Sequence, residues 1–189
     1  MKADMLKKGL NSTAKYVAIT LLLGVLFSCG SMKPGSTSKA GKYYEDFYIG
    51  EGKNQYYIKP LEFKSHNHEL KVDFTIRDFE FKEKGASFNF SIYSDEMISR
   101  IDSLTIRTIS GSHTISKIDR MFFEKKGKGF HIRSTGYGDA NQISTFFGTI
   151  GVKLNIFHDS KIIEFDETGS TKKARKAIND ELMLIIGHY

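Results

Sequence analysis

His66 and His68 stand at i and i+2 in the stretch S-H-N-H-E at residues 65–69. In an extended segment both imidazoles face one side, and such pairs bind zinc or copper. A third ligand would have to arrive from Glu62 or His113, and a polar stretch just before a strand fits an exposed loop better, so no metal site is expected. Ser112 and His113 are neighbours, but adjacent strand residues point to opposite faces and make a poor nucleophile and base. No G-x-S-x-G elbow occurs, and the G-K-G at 127–129 lacks the spacing and the following Ser or Thr of a phosphate loop. Asp119, Asp139, Asp159 and Asp166 fall where turns or strand ends are expected, so no carboxylate pair is indicated. The expectation is a chain with no catalytic residue, no cofactor and no enzymatic activity.

Cys29 is the only cysteine, and it follows directly on an uncharged apolar run at 17–27. The first sixteen residues are polar and lysine-rich, the composition of an export signal's leading segment. A run of 11 residues is short of the roughly 20 needed to span a bilayer. Leu26, Phe27, Ser28 and Cys29 place an aliphatic residue three before the thiol and a small residue just before it. This arrangement resembles the lipobox of bacterial lipoprotein precursors. The resemblance covers about the first thirty residues, and no family is recognised for the rest of the chain. It implies cleavage between Ser28 and Cys29 and a diacylglyceryl group on the Cys29 sulfur, often with an acyl group on the new amine. Two or three chains hold a protein on a membrane where one would not. By the same resemblance, Gly30 in place of aspartate gives no retention signal for an inner membrane, and the periplasmic side of an outer membrane is the expected address.

Residues 30–42 are small, polar and aperiodic, and read as a flexible tether. The expected organisation is therefore a signal peptide at 1–28, a lipidated tether at 29–42 and one globular domain at 43–189. The formal charge is +6, but Lys2, Lys7, Lys8 and Lys15 against Asp4 hold three of those charges in the signal. What remains is nearly balanced and argues against a nucleic-acid partner.

The domain must be built mainly from strands. Leu70, Val72, Phe74 and Ile76 alternate, then Phe79 and Phe81 continue on the other parity, which suggests a bulge near Arg77 and Asp78. Phe88, Phe90 and Ile92 form the returning strand. Three further hairpins are expected: Leu104 and Ile106 with Ile115, residues 121–123 with Phe130 and Ile132, and 152–156 with 163–165. In the last, a two-residue turn at Asp159 and Ser160 pairs Ile156 with Ile163 and Leu154 with Phe165. Early strands are expected at 43–49 and 56–63, the second near a sheet edge because of Pro60.

Two segments change to a helical period. Ile143, Phe146, Phe147 and Ile150 fall behind Asp139, a cap for a short helix. Ala174, Ala177, Ile178, Leu182, Ile185 and Ile186 form the stripe of a C-terminal helix. Its Lys172, Lys173, Arg175 and Lys176 are expected on a solvated face, with contact to anionic lipid the sharper reading. The fold class is mainly β with added α: a single antiparallel sandwich or partly open barrel, a C-terminal helix and a short internal one.

Fifteen Phe and nine Tyr are the surplus of this composition, and tyrosines gather at Tyr43, Tyr44, Tyr48, Tyr56 and Tyr57, where some must face outward. The expected role is a lipid-anchored envelope protein that binds a protein partner or supports an assembly. The alternative is a carrier with an apolar ligand in a β-cavity, and an envelope hydrolase using His113 or His131 ranks third.

Overall fold

Leu70, Val72, Phe74 and Ile76 lie on one face of a single strand, and every one of them is buried. The computed structural model describes residues 39–187. Ser28 and Cys29, with the rest of the proposed signal, lie outside the described residues.

Ten strands make one antiparallel sheet: β1 (Tyr44–Gly50), β2 (Lys53–Lys64), β3 (His68–Arg77), β4 (Ala86–Ser94), β5 (Ile101–Thr108), β6 (Gly111–Ile115), β7 (Ile118–Lys126), β8 (Gly129–Gly138), β9 (Lys153–His158) and β10 (Lys161–Glu167). The order is β6-β5-β9-β10-β2-β3-β4-β8-β7, with β1 also on β2. The end strands β6 and β7 are joined by only Ser116 and Lys117. Around that seam Arg120 Nη1 donates to the Ser99 carbonyl at 3.1 Å. The sheet thus curls on itself without closing, as a partly open barrel.

Register follows the apolar pattern. Val72 faces Phe90 and Phe74 faces Phe88 across β3 and β4. Ile156 faces Ile163 and Leu154 faces Phe165 across the β9–β10 hairpin. Asp159 and Ser160, at φ 43° and 63°, form its two-residue turn, which matches the twist of antiparallel strands. The β5–β6 and β7–β8 hairpins likewise pair Leu104 with Ile115 and Phe123 with Ile132.

Four elements depart from the sequence expectation. The parity change after Ile76 is a strand end, and the chain turns into helix α1 (Asp78–Lys84). The buried Asp78 carboxylate accepts from the Asn54 backbone N–H at 3.1 Å and from Phe79 N at 2.7 Å, which fixes that helix start against β2. Phe81 is buried while Phe79 is exposed. Secondly, β2 is an interior strand. Pro60 is tolerated because it lies in a register shift between Ile58 and Leu61, past the end of β1 pairing and before β10 pairs at Phe63. The shift also keeps both Ile58 and Leu61 on the buried face.

Thirdly, the C-terminal helix is interrupted. Helix α3 (Gly169–Ile178) continues through a π-helical turn, Asn179–Met183, into α4 (Leu184–Gly187). The wider turn carries the buried stripe in steps of four through Ile178, Leu182 and Ile186, and leaves Ile185 outside. Fourthly, helix α2 (Ala140–Gly148) starts in a capping box of Asp139 and Gln142, as its sequence suggests, but ends before Ile150, which is exposed.

Helices α2 and α3 pack on the inner face of the sheet. Phe146 lies 5.0 Å from Phe74 and 6.0 Å from Phe63, centroid to centroid, and Phe147 lies 5.2 Å from Phe74. Phe88 and Phe90 stack beside them at 5.9 Å. These phenylalanines fill the interior, ring against ring, whereas Phe47, Phe79, Phe122 and Phe123 are exposed.

Candidate functional site

Alternation that turns Phe88, Phe90 and Ile92 inward turns Asn89, Ser91 and Tyr93 outward, and the outer face of β3, β4, β8 and β7 carries the polar chemistry of the domain. Tyr93 faces His131 across β4 and β8, and His131 faces Glu124 across β8 and β7. The Tyr93 and His131 rings stack at 4.2 Å with 10° between planes. Phe122 meets the same imidazole edge-on at 4.9 Å. Lys71 and Lys126 place their ammonium groups 5.5 and 5.3 Å from the Tyr93 centroid, within cation–π range. Lys71 also reaches Glu69 at 2.8 Å, and that hydrogen bond raises its pKa. Next in the ladder, Arg133 donates to both Asp73 oxygens, at 3.2 and 2.9 Å, and to Ser91 at 3.0 Å.

His131 Nδ1 lies 2.9 Å from Glu124 Oε1, the hydrogen-bonded imidazole and carboxylate that the hydrolase alternative requires. The opposite nitrogen, Nε2, is buried and meets no hydrogen-bond partner. A nucleophile would have to reach that atom, and the imidazole that bears it is stacked on Tyr93 and met edge-on by Phe122. The arrangement is a packed outer face of aromatic, basic and acidic side chains.

Beside it opens a cleft of about 620 Å³ between the turn at 64–69 and the tip of the β7–β8 hairpin. It brings together the S-H-N-H-E stretch and the G-K-G stretch that the sequence singled out, with Lys126, Lys128, His66 and His68 all in its lining. The two histidines do not share a strand face. His66 is exposed in the turn, whereas His68 opens β3 and points to the inner side. His68 Nδ1 lies 2.9 Å from Ser94 Oγ, and its ring lies 6.4 Å from Phe165. Burial lowers the His68 pKa, against an opposing pull from Glu96 and Asp95 and with a small push in the same direction from His158. Among the described residues no three His, Asp or Glu side chains converge as metal ligands.

His158 is buried at the same end, with Nδ1 3.6 Å from Asp159. Asp159 accepts from Ser99 through both the backbone N–H, at 3.0 Å, and the hydroxyl. These bonds lower the Asp159 pKa and pin the β4–β5 loop to the β9–β10 turn. Ser112 and His113 sit on β6 opposite Arg107 and Ile106, so the pair is split between the two faces of the strand. Of the front tyrosines, Tyr44 and Tyr56 are buried and Tyr48 and Tyr57 are exposed. Phe47 meets Tyr57 edge-on at 5.2 Å.

The most exposed strand is β7, where every residue after Ile118 is open to solvent, Met121, Phe122 and Phe123 included. Sequence reasoning assigned these three to a hairpin and not to a surface. The available signal was a run of apolar neighbours on both parities, which cannot all face one core. Fold and face together define a curled, mainly-β domain with an aromatic and basic outer surface. No family model, no curated protein and no solved structure matches the chain.

Proposed function

We propose that this chain is a non-enzymatic, lipid-anchored protein of the cell envelope, held through Cys29 on the periplasmic side of an outer membrane, which binds a protein partner along β7. The observation that carries the binding role is the exposure of Met121, Phe122 and Phe123 on a strand at the end of the sheet. An edge strand of nine residues bearing large apolar side chains is a site for pairing or docking, and flanking charges are the usual guard against self-association. Arg120, Lys125 and Lys126 supply such charges here. The lipobox-like Leu26, Phe27, Ser28 and Cys29 supports the anchor.

A cleft of about 280 Å³ reaches the inward-facing Ile98, Ile101, Ile132 and Ser134 but has no phenylalanine in its lining, and the packed rings favour an external binding surface over a carrier's phenylalanine-lined cavity. Phe63, Phe88, Phe90, Phe146 and Phe165 are all fully buried against protein neighbours.

The test is a photo-crosslinking side chain at Met121 in intact cells. A discrete adduct is expected that disappears with Phe122→Ser and Phe123→Ser together, and no adduct is expected from Lys82 on α1. An adduct at 121 that ignores both substitutions, or none at all, would contradict the assignment of β7.

A further inference from the structure

Helix α3 and the end of α2 enclose a groove of about 630 Å³ that has one apolar and one basic wall. Ile150, in front of the buried Phe147, forms the first, and Lys172, Lys173 and Lys176 line the second; the carboxylates of Glu167 and Asp180 are also in the lining, paired with Arg175 and Lys176. Ile150 is 70% exposed beside these three cations. Lys176 pairs with Asp180 at 2.5 Å, whereas Lys172 and Lys173 form no ion pair with any described residue. An occupant with an anionic head and an apolar body would satisfy both walls.

The path of the chain says where such an occupant would come from. Residues Lys39–Lys42 form a 3-10 turn packed on α3, and Tyr43 shares a shallow pocket with Ser170 and Ala174 of that helix. The chain therefore enters the domain on the Ser170 and Ala174 side of α3, around the helix from Lys172, Lys173 and Lys176. Cys29 is ten residues before Lys39. Ten residues span at most about 36 Å, enough to pass around a helix about 10–12 Å across. A lipid on Cys29 would keep α3 near the bilayer, so weak attraction becomes effectively intramolecular. Each lysine close to an anionic leaflet strengthens association about fivefold.

We infer that the α3 groove is the membrane-facing side of the domain and takes anionic phospholipid, with the lysines on headgroups and Ile150 toward the acyl boundary. This inference rests on the anchor reading above, and one experiment separates the two. In an acylated protein the Cys29 sulfur is blocked, so Ile150→Cys offers the one free thiol for a fluorescent dye. The lipidated full chain is placed in vesicles of phosphatidylcholine alone or with phosphatidylglycerol. Quenching of the dye by aqueous acrylamide is expected to fall about threefold in the anionic vesicles. It should recover in 1 M salt, and also with Lys172→Glu and Lys173→Glu together, both at exposed positions. A dye at Ser110, on the β5–β6 turn, should stay equally quenched throughout.

Equal quenching at 150 in both vesicles, or protection that survives both salt and charge reversal, would overturn the groove assignment while leaving the anchor intact. Labelling of Cys29 itself in the unsubstituted protein would overturn the anchor reading and this inference with it.

Discussion

Arg175 lies over the ring of Phe146, 5.1 Å from its centroid, and donates through Nε to that residue's carbonyl oxygen at 2.8 Å. The same guanidinium donates to Glu167 at 2.5 Å and to the Thr149 carbonyl, so one side chain ties the end of α2 to β10 and α3. It is 2% exposed. Burial lowers its pKa against the opposing pull of Glu167.

Removing one partner of a buried ion pair leaves the other charge uncompensated, at a cost of about 3–5 kcal/mol. Arg175→Ala should lose stability in that range by urea denaturation. Arg175→Met combined with Glu167→Gln should lose clearly less, since neither charge is then stranded. Equal losses for the two would show that the cost lies in the lost guanidinium hydrogen bonds to the Phe146 and Thr149 carbonyls and not in a stranded charge.

Phe74 touches Phe88, Phe146 and Phe147, at 6.2, 5.0 and 5.2 Å between ring centroids. It joins sheet to helix at the centre of the core. Phe74→Ala is expected to cost about 3–5 kcal/mol, against a change within about 0.5 kcal/mol for a substitution at the solvent-exposed Lys82.

Gly85 closes α1 at φ 72°, and a Cβ there would stand 2.0 Å from the Gly138 carbonyl oxygen. Gly52 also has a positive φ, 74°, but opens on empty space. Gly52→Ala should therefore cost only the backbone strain, about 1–3 kcal/mol, whereas Gly85→Ala must also displace β8 and should lower the melting temperature further. Similar losses at both sites would show that β8 yields freely.

His68 has a folded-state pKa below its ordinary value of 6.5 because burial disfavours the imidazolium. Between the lowered pKa and 6.5 the unfolded chain binds more protons, so stability rises with pH there. The contribution is complete above about pH 6.5 and is lost on acidification below it, with a slope of at most about 1.4 kcal/mol per pH unit. His68→Gln should flatten this part of a stability–pH curve. An unchanged slope would assign the dependence to another group.

The parts of this fold legible from sequence are those decided by local pattern. The register of β9 and β10 follows from alternation and the two residues Asp159 and Ser160, and α2 follows from Asp139 and a 3.6 period. What was not legible depends on distant partners. Arg175 belongs to a basic run that reads as solvated, and only the carbonyls of Phe146 and Thr149 with Glu167 explain its burial. Asp78 reads as a bulge in a strand until Asn54, twenty-four residues earlier, reaches its carboxylate. Of the candidate site, the S-H-N-H-E and G-K-G stretches were visible separately. Their meeting in one cleft, and the stacking of Tyr93 on His131, required the pairing of β4 with β8.

The proposed role depends first on acyl chains at Cys29, and the mass of the mature protein from membranes tests this most directly. The account predicts a species that begins at Cys29 and carries the mass of a diacylglyceryl group, with or without a further acyl chain, and that leaves the membrane fraction with Cys29→Ser. A mature protein that retains Met1, or one that begins elsewhere with an unmodified thiol, would contradict it.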